Sequence, residues 1–150
     1  MHYWLMKTEP DAFSIDDLAR VGTEPWSGVR NYQARNFMRD GMAVGDGVLF
    51  YHSSCAEPGV VGIAEVATPA YPDPTQFDRK SPYFDPKATR AEPRWMLVDV
   101  RFVRKLKRTI TLAELRDAPR LEGLGLLQRG SRLSVMPVTR GQWSGILALE

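Results

Sequence analysis

The sequence predicts an α+β domain with a small barrel or a strongly curved sheet at its centre. Three observations support this prediction. Short apolar segments bounded by turn residues recur along the chain, as expected of strands. Three hydroxyl residues each precede an acidic or amide residue by three positions, which is a helix-capping pattern. The length of 150 residues suffices for one domain with a buried core, and we expect residues 1–150 to form it.

Short apolar or alternating segments predict the strands. The clearest alternation runs over residues 95–103, where Met96, Val98, Val100 and Phe102 share one face. Residues 60–66 are rich in β-branched side chains, and residues 48–51 follow the turn signal at residues 45–47. The five predicted strands are residues 3–6, 48–51, 60–66, 95–103 and 133–136.

Capping signals predict the helices. The hydroxyl of the first residue in each box can accept from the third residue of the helix, whose side chain can accept in return. The three boxes pair Ser14 with Asp17, Thr111 with Glu114, and Thr139 with Gln142. A fourth helix is predicted over residues 32–40, with Asn31 as its N-cap and Gly41 as its stop.

Residues 68–93 are the least regular part of the chain. Six prolines in this stretch exclude a long helix or a central strand. Its aromatic residues, among them Tyr71 and Tyr83, predict a loop that packs down onto the domain.

Composition narrows the class of protein. The chain is 43% hydrophobic and 25% charged, which is typical of a folded protein. We expect no membrane span and no secretory signal, because no apolar run is long enough and the N-terminus lacks a basic-then-apolar pattern. The lone Cys55 predicts a reducing compartment, and we expect a bacterial cytoplasm.

Sequence motifs of catalysis are missing. The chain has no nucleophile elbow and no phosphate-binding glycine loop. His2, His52 and Cys55 do not have the spacing of a metal site. We therefore expect a protein that is not an enzyme and needs no cofactor or metal.

Two local features suggest ligand binding. In residues 26–32, Trp26 precedes a predicted helix N-terminus, which offers a flat ring, backbone amides and the Asn31 side chain. Trp95 can supply a second wall, although both tryptophans also suit a core. Basic residues cluster over residues 101–108, which suits either a phosphate-tracking surface or a solvated strand end.

Several motifs resemble the EVE domain family, in order and over essentially the whole chain. They are residues 3–10 (YWLMKTEP), 26–37 (WSGVRNYQARNF), 45–53, 61–66, 71–78 (YPDPTQFD), 95–100 (WMLVDV) and 132–138 (RLSVMPV). The resemblance implies a PUA-like fold, a small curved β-barrel of about five to six strands flanked by short helices. EVE domains are related to YTH domains, which bind N6-methyladenine in RNA through an aromatic cage.

The resemblance also implies a function. We expect a non-catalytic module that recognises a modified base, chiefly a modified cytosine, in DNA or RNA by flipping it into an aromatic pocket. Some EVE domains are fused to restriction nucleases. We expect no second domain here, so any cleavage would come from a separate nuclease or modification enzyme.

The loop, the basic cluster and the resemblance together define the predicted site. The base pocket is expected to comprise Trp26, Ser27, Val29, Asn31, Tyr32, His52, Ser53, Trp95, Ser134 and Met136. The phosphate or anion contacts are expected to be Lys7, Arg30, Arg104, Lys105 and Arg132.

Two other functions stay open at this point. The pocket can serve a small planar or anionic metabolite, such as a free modified nucleoside, which suits the modest net charge of +2. A hydrolase acting on such a nucleotide is disfavoured, because the sequence offers no recognisable nucleophile or paired acid.

Overall fold

The computed structural model describes residues 1–150 as eight strands, four α-helices and several short helical turns. The strands are β1 (Tyr3–Thr8), β2 (Thr23–Pro25), β3 (Gly47–His52), β4 (Gly59–Val66), β5 (Tyr71–Pro72), β6 (Met96–Leu97), β7 (Asp99–Thr111) and β8 (Val135–Val138). The helices are α1 (Ile15–Val21), α2 (Tyr32–Asn36), α3 (Leu112–Arg116) and α4 (Arg140–Leu147). A π-helical turn covers Phe37–Gly41, and 3₁₀ turns cover Pro74–Phe77, Pro119–Leu121 and Gly125–Leu127.

Six of the strands form one curled, half-barrel sheet in the order β2-β7-β4-β3-β1-β8. β1 and β3 pair in parallel, and the other neighbours are antiparallel. β5 and β6 form a separate two-stranded sheet. The predicted α+β architecture, a curved sheet flanked by short helices, is confirmed.

Each face of the sheet carries an apolar cluster, and successive side chains of a strand contribute to the two clusters in turn because they point to opposite sides. Met6 and Phe50 belong to one apolar cluster, whereas their neighbours Leu5 and Leu49 belong to the other. Trp26 packs in the cluster of Met6 and Phe50. This face of the sheet therefore positions the loop that the sequence singled out.

The predicted helix starts are confirmed. Ser14, Thr111 and Thr139 each complete a reciprocal capping box. Asn31 caps α2 through a 3.0 Å bond that its side chain accepts from the Ala34 amide. The predicted 32–40 helix is α-helical only to Asn36 and continues as the π-helical turn.

The predicted single strand over residues 95–103 is wrong. The strand is interrupted at Val98, whose carbonyl accepts a 3.0 Å bond from the Trp26 amide. On one side of this break β6 pairs with β5, and on the other β7 continues to Thr111. The sequence did not predict the continuation of β7 beyond residue 103, because this part of the strand is rich in basic residues and only Leu106 and Ile110 are buried in it.

Two smaller differences concern a short strand that was not predicted and the start of the last strand. β2 was not predicted, since it is a three-residue edge strand that contains a proline. β8 begins at Val135, two residues later than the sequence pattern indicates.

The proline-rich stretch packs down as predicted. The fully buried Gln76 donates to the carbonyls of Asp73 and Trp95 at 2.8 and 2.7 Å. Its side-chain oxygen accepts from the amides of Arg94 and Trp95. One side chain thus fastens both ends of this loop.

None of the helices combines the length and the apolar character needed to cross a bilayer.

Candidate functional site

A cleft of about 430 Å³ opens beside the loop at residues 26–30, where β1 ends and β2 runs into the loop. Thirteen residues line it. They are Lys7, Thr8, Ala12, Phe13, Glu24, Pro25, Trp26, Ser27, Gly28, Val29, Arg30, Tyr83 and Ser134. Six of them belong to the predicted site, namely Lys7, Trp26, Ser27, Val29, Arg30 and Ser134.

Trp26 forms the floor of the cleft. It is only 8% exposed and meets Phe13 and Phe50 edge-on, at centroid distances of 6.5 and 5.6 Å. Its indole N–H has no acceptor within the protein, yet no fully buried side-chain nitrogen lacks a partner. The N–H therefore reaches solvent and is a free donor at the cleft.

The buried carboxylate of Asp73 holds the loop in place. It accepts from the Gly28 amide at 2.8 Å, from Arg30 at 3.1 Å, and from the amide and hydroxyl of Thr75. Burial alone would raise the pKa of Asp73, but the bonds from Thr75, Gly28 and Arg30 bring it below its ordinary value. The loop is thus tied to a carboxylate that stays ionised.

Glycine is required at position 28. Gly28 has a φ of +85°, and a Cβ there would lie 2.7 Å from the Tyr83 ring. The close approach brings the Tyr83 ring to the mouth of the cleft, next to the loop.

Contacts within the protein use most of the hydrogen-bonding capacity of Arg30. Its guanidinium makes five hydrogen bonds, two of them to the Tyr83 carbonyl. It also lies between the rings of Tyr83 and Trp95, 5.4 and 5.2 Å from their centroids. Its main role in this arrangement is to clamp the loop, although it borders the cleft.

Lys7 and Glu24 are the charged cleft residues without an ion-pair partner. Lys7 lies near the end of β1, and burial lowers the pKa of its ammonium group. Glu24 lies on β2 opposite Val100 of β7 and is partly buried. One free cation and one free carboxylate therefore face the same space.

Other predicted pocket residues have structural partners instead. Asn31 caps α2, and the Nε2 of His52 accepts from the Ile15 amide at 3.1 Å at the start of α1. Trp95 is 6% exposed, and its indole N–H donates to Asp85 at 2.8 Å. Tyr32 stacks on Trp95 at 4.7 Å. None of these four residues lines the cleft.

The remaining predicted residues are dispersed. Ser53 lines a neighbouring cleft rather than this one. Met136 is 1% exposed and packs in the apolar cluster on the opposite face of the sheet, because β8 places alternate side chains on opposite sides. Arg132 is exposed and does not border the Trp26 cleft.

Four of the five basic residues of β7 are paired with acidic side chains. Arg104 pairs with Glu150 at 2.8 Å, and Lys105 pairs with Asp16 at 2.9 Å. The Arg104 guanidinium lowers the pKa of Glu150 to about 2. Arg101 and Arg108 pair in the same way with Glu65 and Glu114. The solvated strand end, one of the two interpretations left open by the sequence, is the one that this arrangement favours.

Sequence reasoning missed seven of the thirteen lining residues, among them three with large or charged side chains, Phe13, Glu24 and Tyr83. Phe13 and Glu24 carry no motif of their own, and only the folded sheet brings them to Trp26. Tyr83 had a partial signal, since the aromatic residues of the proline-rich loop predicted that it packs down.

Comparison with known proteins identifies the same family that the sequence motifs resemble. The model of the EVE domain matches residues 2–149. Thymocyte nuclear protein 1 of Mus musculus is 44% identical over 168 aligned residues, which cover 99% of this chain and 74% of that protein.

Solved structures share the whole fold. A protein from Pseudomonas putida is 55% identical with a TM-score of 0.95, and the match covers 98% of both chains. The human THYN1 protein, solved in complex with 5-methylcytosine-containing DNA, is 42% identical with a TM-score of 0.94. That match covers 99% of this chain and 97% of the human one, and it confirms the predicted PUA-like architecture. Because the family model spans nearly the entire chain, the protein belongs to the EVE domain family.

Proposed function

We propose that this protein is a non-catalytic module that binds a modified cytosine in DNA, extruded from the duplex into the cleft beside Trp26. The observation that carries the proposal is the likeness in sequence and fold to the human protein solved with 5-methylcytosine-containing DNA. The cleft is the part of this chain whose size and chemistry suit such a base.

The size and the aromatic lining of the cleft support this proposal. A volume of about 430 Å³ lies within the usual range of ligand sites. Phe13, Trp26 and Tyr83 supply aromatic surface around it. Extrusion of a base costs a few kcal/mol, and stacking on an aromatic ring returns ~1–3 kcal/mol.

The polar groups at the cleft match the edge of a cytosine. The exocyclic amino group of cytosine is a donor, for which a glutamate is a suitable acceptor. Glu24 has no ion-pair partner and can accept that bond. The free indole N–H of Trp26 and the hydroxyl of Ser27 can donate to the acceptor atoms of the ring. The methyl group would then contact apolar surface such as Val29.

Lys7 is suited to the phosphate of the bound nucleotide. It is half-buried at the cleft and has no carboxylate partner. Arg30 contributes less, because Asp73 and two carbonyls already occupy its donors.

Fluorescence titration with matched oligonucleotides tests the proposal. The set comprises plain cytosine, 5-methylcytosine, 5-hydroxymethylcytosine and N6-methyladenine in one sequence context, as DNA and as RNA. We expect at least about tenfold tighter binding to DNA with one modified cytosine, which corresponds to ~1.4 kcal/mol. Equal affinity for modified and plain DNA would contradict the proposal.

A matched pair of variants ties the effect to the cleft. Trp26→Phe keeps an aromatic ring but removes the free N–H, whereas Trp143→Phe makes the same change on α4. Trp143 packs on Tyr3, in the apolar cluster on the opposite face of the sheet from Trp26. We expect Trp26→Phe to weaken binding of DNA with a modified cytosine at least about fivefold, since a hydrogen bond and stacking area are removed. The Trp143→Phe protein should keep the full affinity.

Free nucleosides distinguish the alternative function, a small-molecule binder. If free 5-methylcytidine bound as tightly as the oligonucleotide, with no dependence on salt, a metabolite site would replace the DNA site.

A further inference from the structure

A second cleft of about 530 Å³ lies next to the first. It is bounded by the end of β3, the β3–β4 connection, the start of α3 and the segment at residues 126–131. Lys7 lines both clefts, so the two meet at the end of β1, where a ligand can pass from the Trp26 face of the sheet to the face that carries Tyr51. A ligand that fills the first cleft and extends past Lys7 would enter the second.

The second cleft is basic. Lys7, Arg116 and Arg129 line it, and none of its lining residues is acidic. Neither arginine takes part in an ion pair, whereas four of the basic residues of β7 are paired. Ser53 and Ser54 add hydroxyl donors to the same cleft. Unpaired cations with hydroxyl donors are the groups that bind phosphate.

Tyr51 contributes a hydroxyl donor to the second cleft. The residue is 2% exposed and lines this cleft, and its hydroxyl has no hydrogen-bond partner within the protein. Because no fully buried side-chain oxygen lacks a partner, this hydroxyl is accessible to solvent, and Tyr51 lines the cleft. Burial raises the pKa of Tyr51, so the hydroxyl stays protonated and able to donate.

We propose that this second cleft binds the phosphate of a nucleotide adjacent to the extruded base on the same DNA strand, through Arg116, Arg129 and the Tyr51 hydroxyl. The inference rests on the proposed function, since the strand must enter the first cleft to reach the second. It assigns the sequence-independent part of the affinity to residues that lie outside the base pocket.

The test uses the Arg116→Gln/Arg129→Gln protein and two duplexes that differ only in one 5-methylcytosine. We expect the affinity for both duplexes to fall by the same factor, at least about tenfold, because the same phosphate is held less tightly in both. The slope of log K against log salt should become less steep by roughly 1.8, which is about 0.9 for each arginine charge removed from the phosphate.

Two control proteins accompany this experiment. Arg101→Gln/Arg104→Gln removes the same charge from paired positions and should bind both duplexes as the wild type does. Arg116→Lys/Arg129→Lys keeps the charge and should retain most of the salt slope. Thermal unfolding of each protein shows that the fold is intact, which is expected because both arginines are exposed.

Three outcomes would overturn the inference. They are an unchanged affinity of the Arg116→Gln/Arg129→Gln protein for both duplexes, a loss confined to the methylated duplex, and an equal loss in the Arg101→Gln/Arg104→Gln control. A parallel titration with inorganic phosphate interprets the first outcome: if only phosphate binding is lost, the cleft is a site for a free anion rather than for a DNA backbone.

The two proposals fail in different ways. If the wild type binds plain and methylated duplexes alike, the proposed base specificity is contradicted. The arginine comparison still decides the phosphate site in that case: a matched loss on both duplexes supports it, and no loss overturns it.

Discussion

Side chains around the Trp26 cleft differ in how much of their hydrogen-bonding capacity the protein already uses. Arg30, His52 and Trp95 are bonded to neighbouring groups and hold the scaffold. Lys7 and Glu24 have no such partners. Unused polar groups at a cleft indicate ligand contacts better than residue type does, because a satisfied group gains little from a ligand.

Replacement of Glu24 tests whether its carboxylate accepts the cytosine amino group. We expect Glu24→Gln to weaken binding of 5-methylcytosine DNA about tenfold, because a charge-assisted bond is replaced by a neutral one. The ratio of methylated to plain binding should not change, since Glu24 does not contact the methyl group in the proposed arrangement. Competition titration of the two duplexes measures both quantities.

The matched control for Glu24 is Glu122→Gln, an exposed glutamate at a different cleft. If both variants weakened DNA binding to the same extent, the contact assigned to Glu24 would be excluded.

The elements around the cleft are joined by a few cross-links between segments distant in sequence. Asp73, at the start of a 3₁₀ turn, fixes the loop that carries Trp26. His52, at the end of β3, accepts from the first amide of α1. These bonds connect an irregular loop and a short helix to the rigid sheet, so that the cleft is formed before a ligand arrives.

Acidification should weaken the attachment of α1. Burial, the largest effect, lowers the pKa of His52 from its ordinary 6.5, while Asp16 raises it and Lys105 lowers it. The folded state thus binds a proton less readily than the unfolded state does. The stability that neutral His52 contributes is fully present above about pH 6.5 and is lost as the pH falls through the lowered pKa.

Urea denaturation at about pH 7.5 and about pH 5 measures this loss. His52→Gln supplies the control, because a glutamine oxygen can accept from the Ile15 amide and does not titrate. The wild type should lose more of its free energy of unfolding on acidification than this variant does. An equal loss in both proteins would show that other groups cause the pH dependence.

The net charge of the whole molecule is small. Its cations differ in whether they have a carboxylate partner. The net charge is +2, and four cations on β7 are balanced by carboxylates. The unpaired cations at the two clefts are Lys7, Arg116 and Arg129. In the proposed DNA complex, binding would depend on these few phosphate contacts, unlike that of a generic basic DNA-binding protein.

The salt dependence of DNA binding should reflect this distribution. Three phosphate contacts give a slope of log K against log salt of roughly −2.7. We expect Arg104→Gln/Lys105→Gln to leave this slope unchanged, because both residues are engaged with Glu150 and Asp16. Titrations between about 50 and 200 mM salt determine it. A much steeper slope that flattens in this double variant would restore β7 as the phosphate-binding surface.

The local sequence pattern was sufficient to predict an element wherever the contacts that stabilise the element join residues close in sequence. The capping boxes at Ser14, Thr111 and Thr139 were predictable because both of their hydrogen bonds join residues three positions apart. The strands around Leu49 and Val61 were predictable because burial leaves an apolar signature in the residues themselves. The motif around Trp26 was likewise visible, and this residue does line the cleft.

Residue pattern alone could not decide which distant residues meet. Glu24 and Tyr83 reach the Trp26 cleft, Met136 faces the other side of the sheet, and Arg104 finds Glu150 only when the chain is folded. The physical reason is that burial and capping are recorded in neighbouring residues, whereas a contact across the sheet depends on strand order and register. The sequence therefore revealed the elements, the family and part of the site, and the folded sheet determined which polar groups remain free to bind.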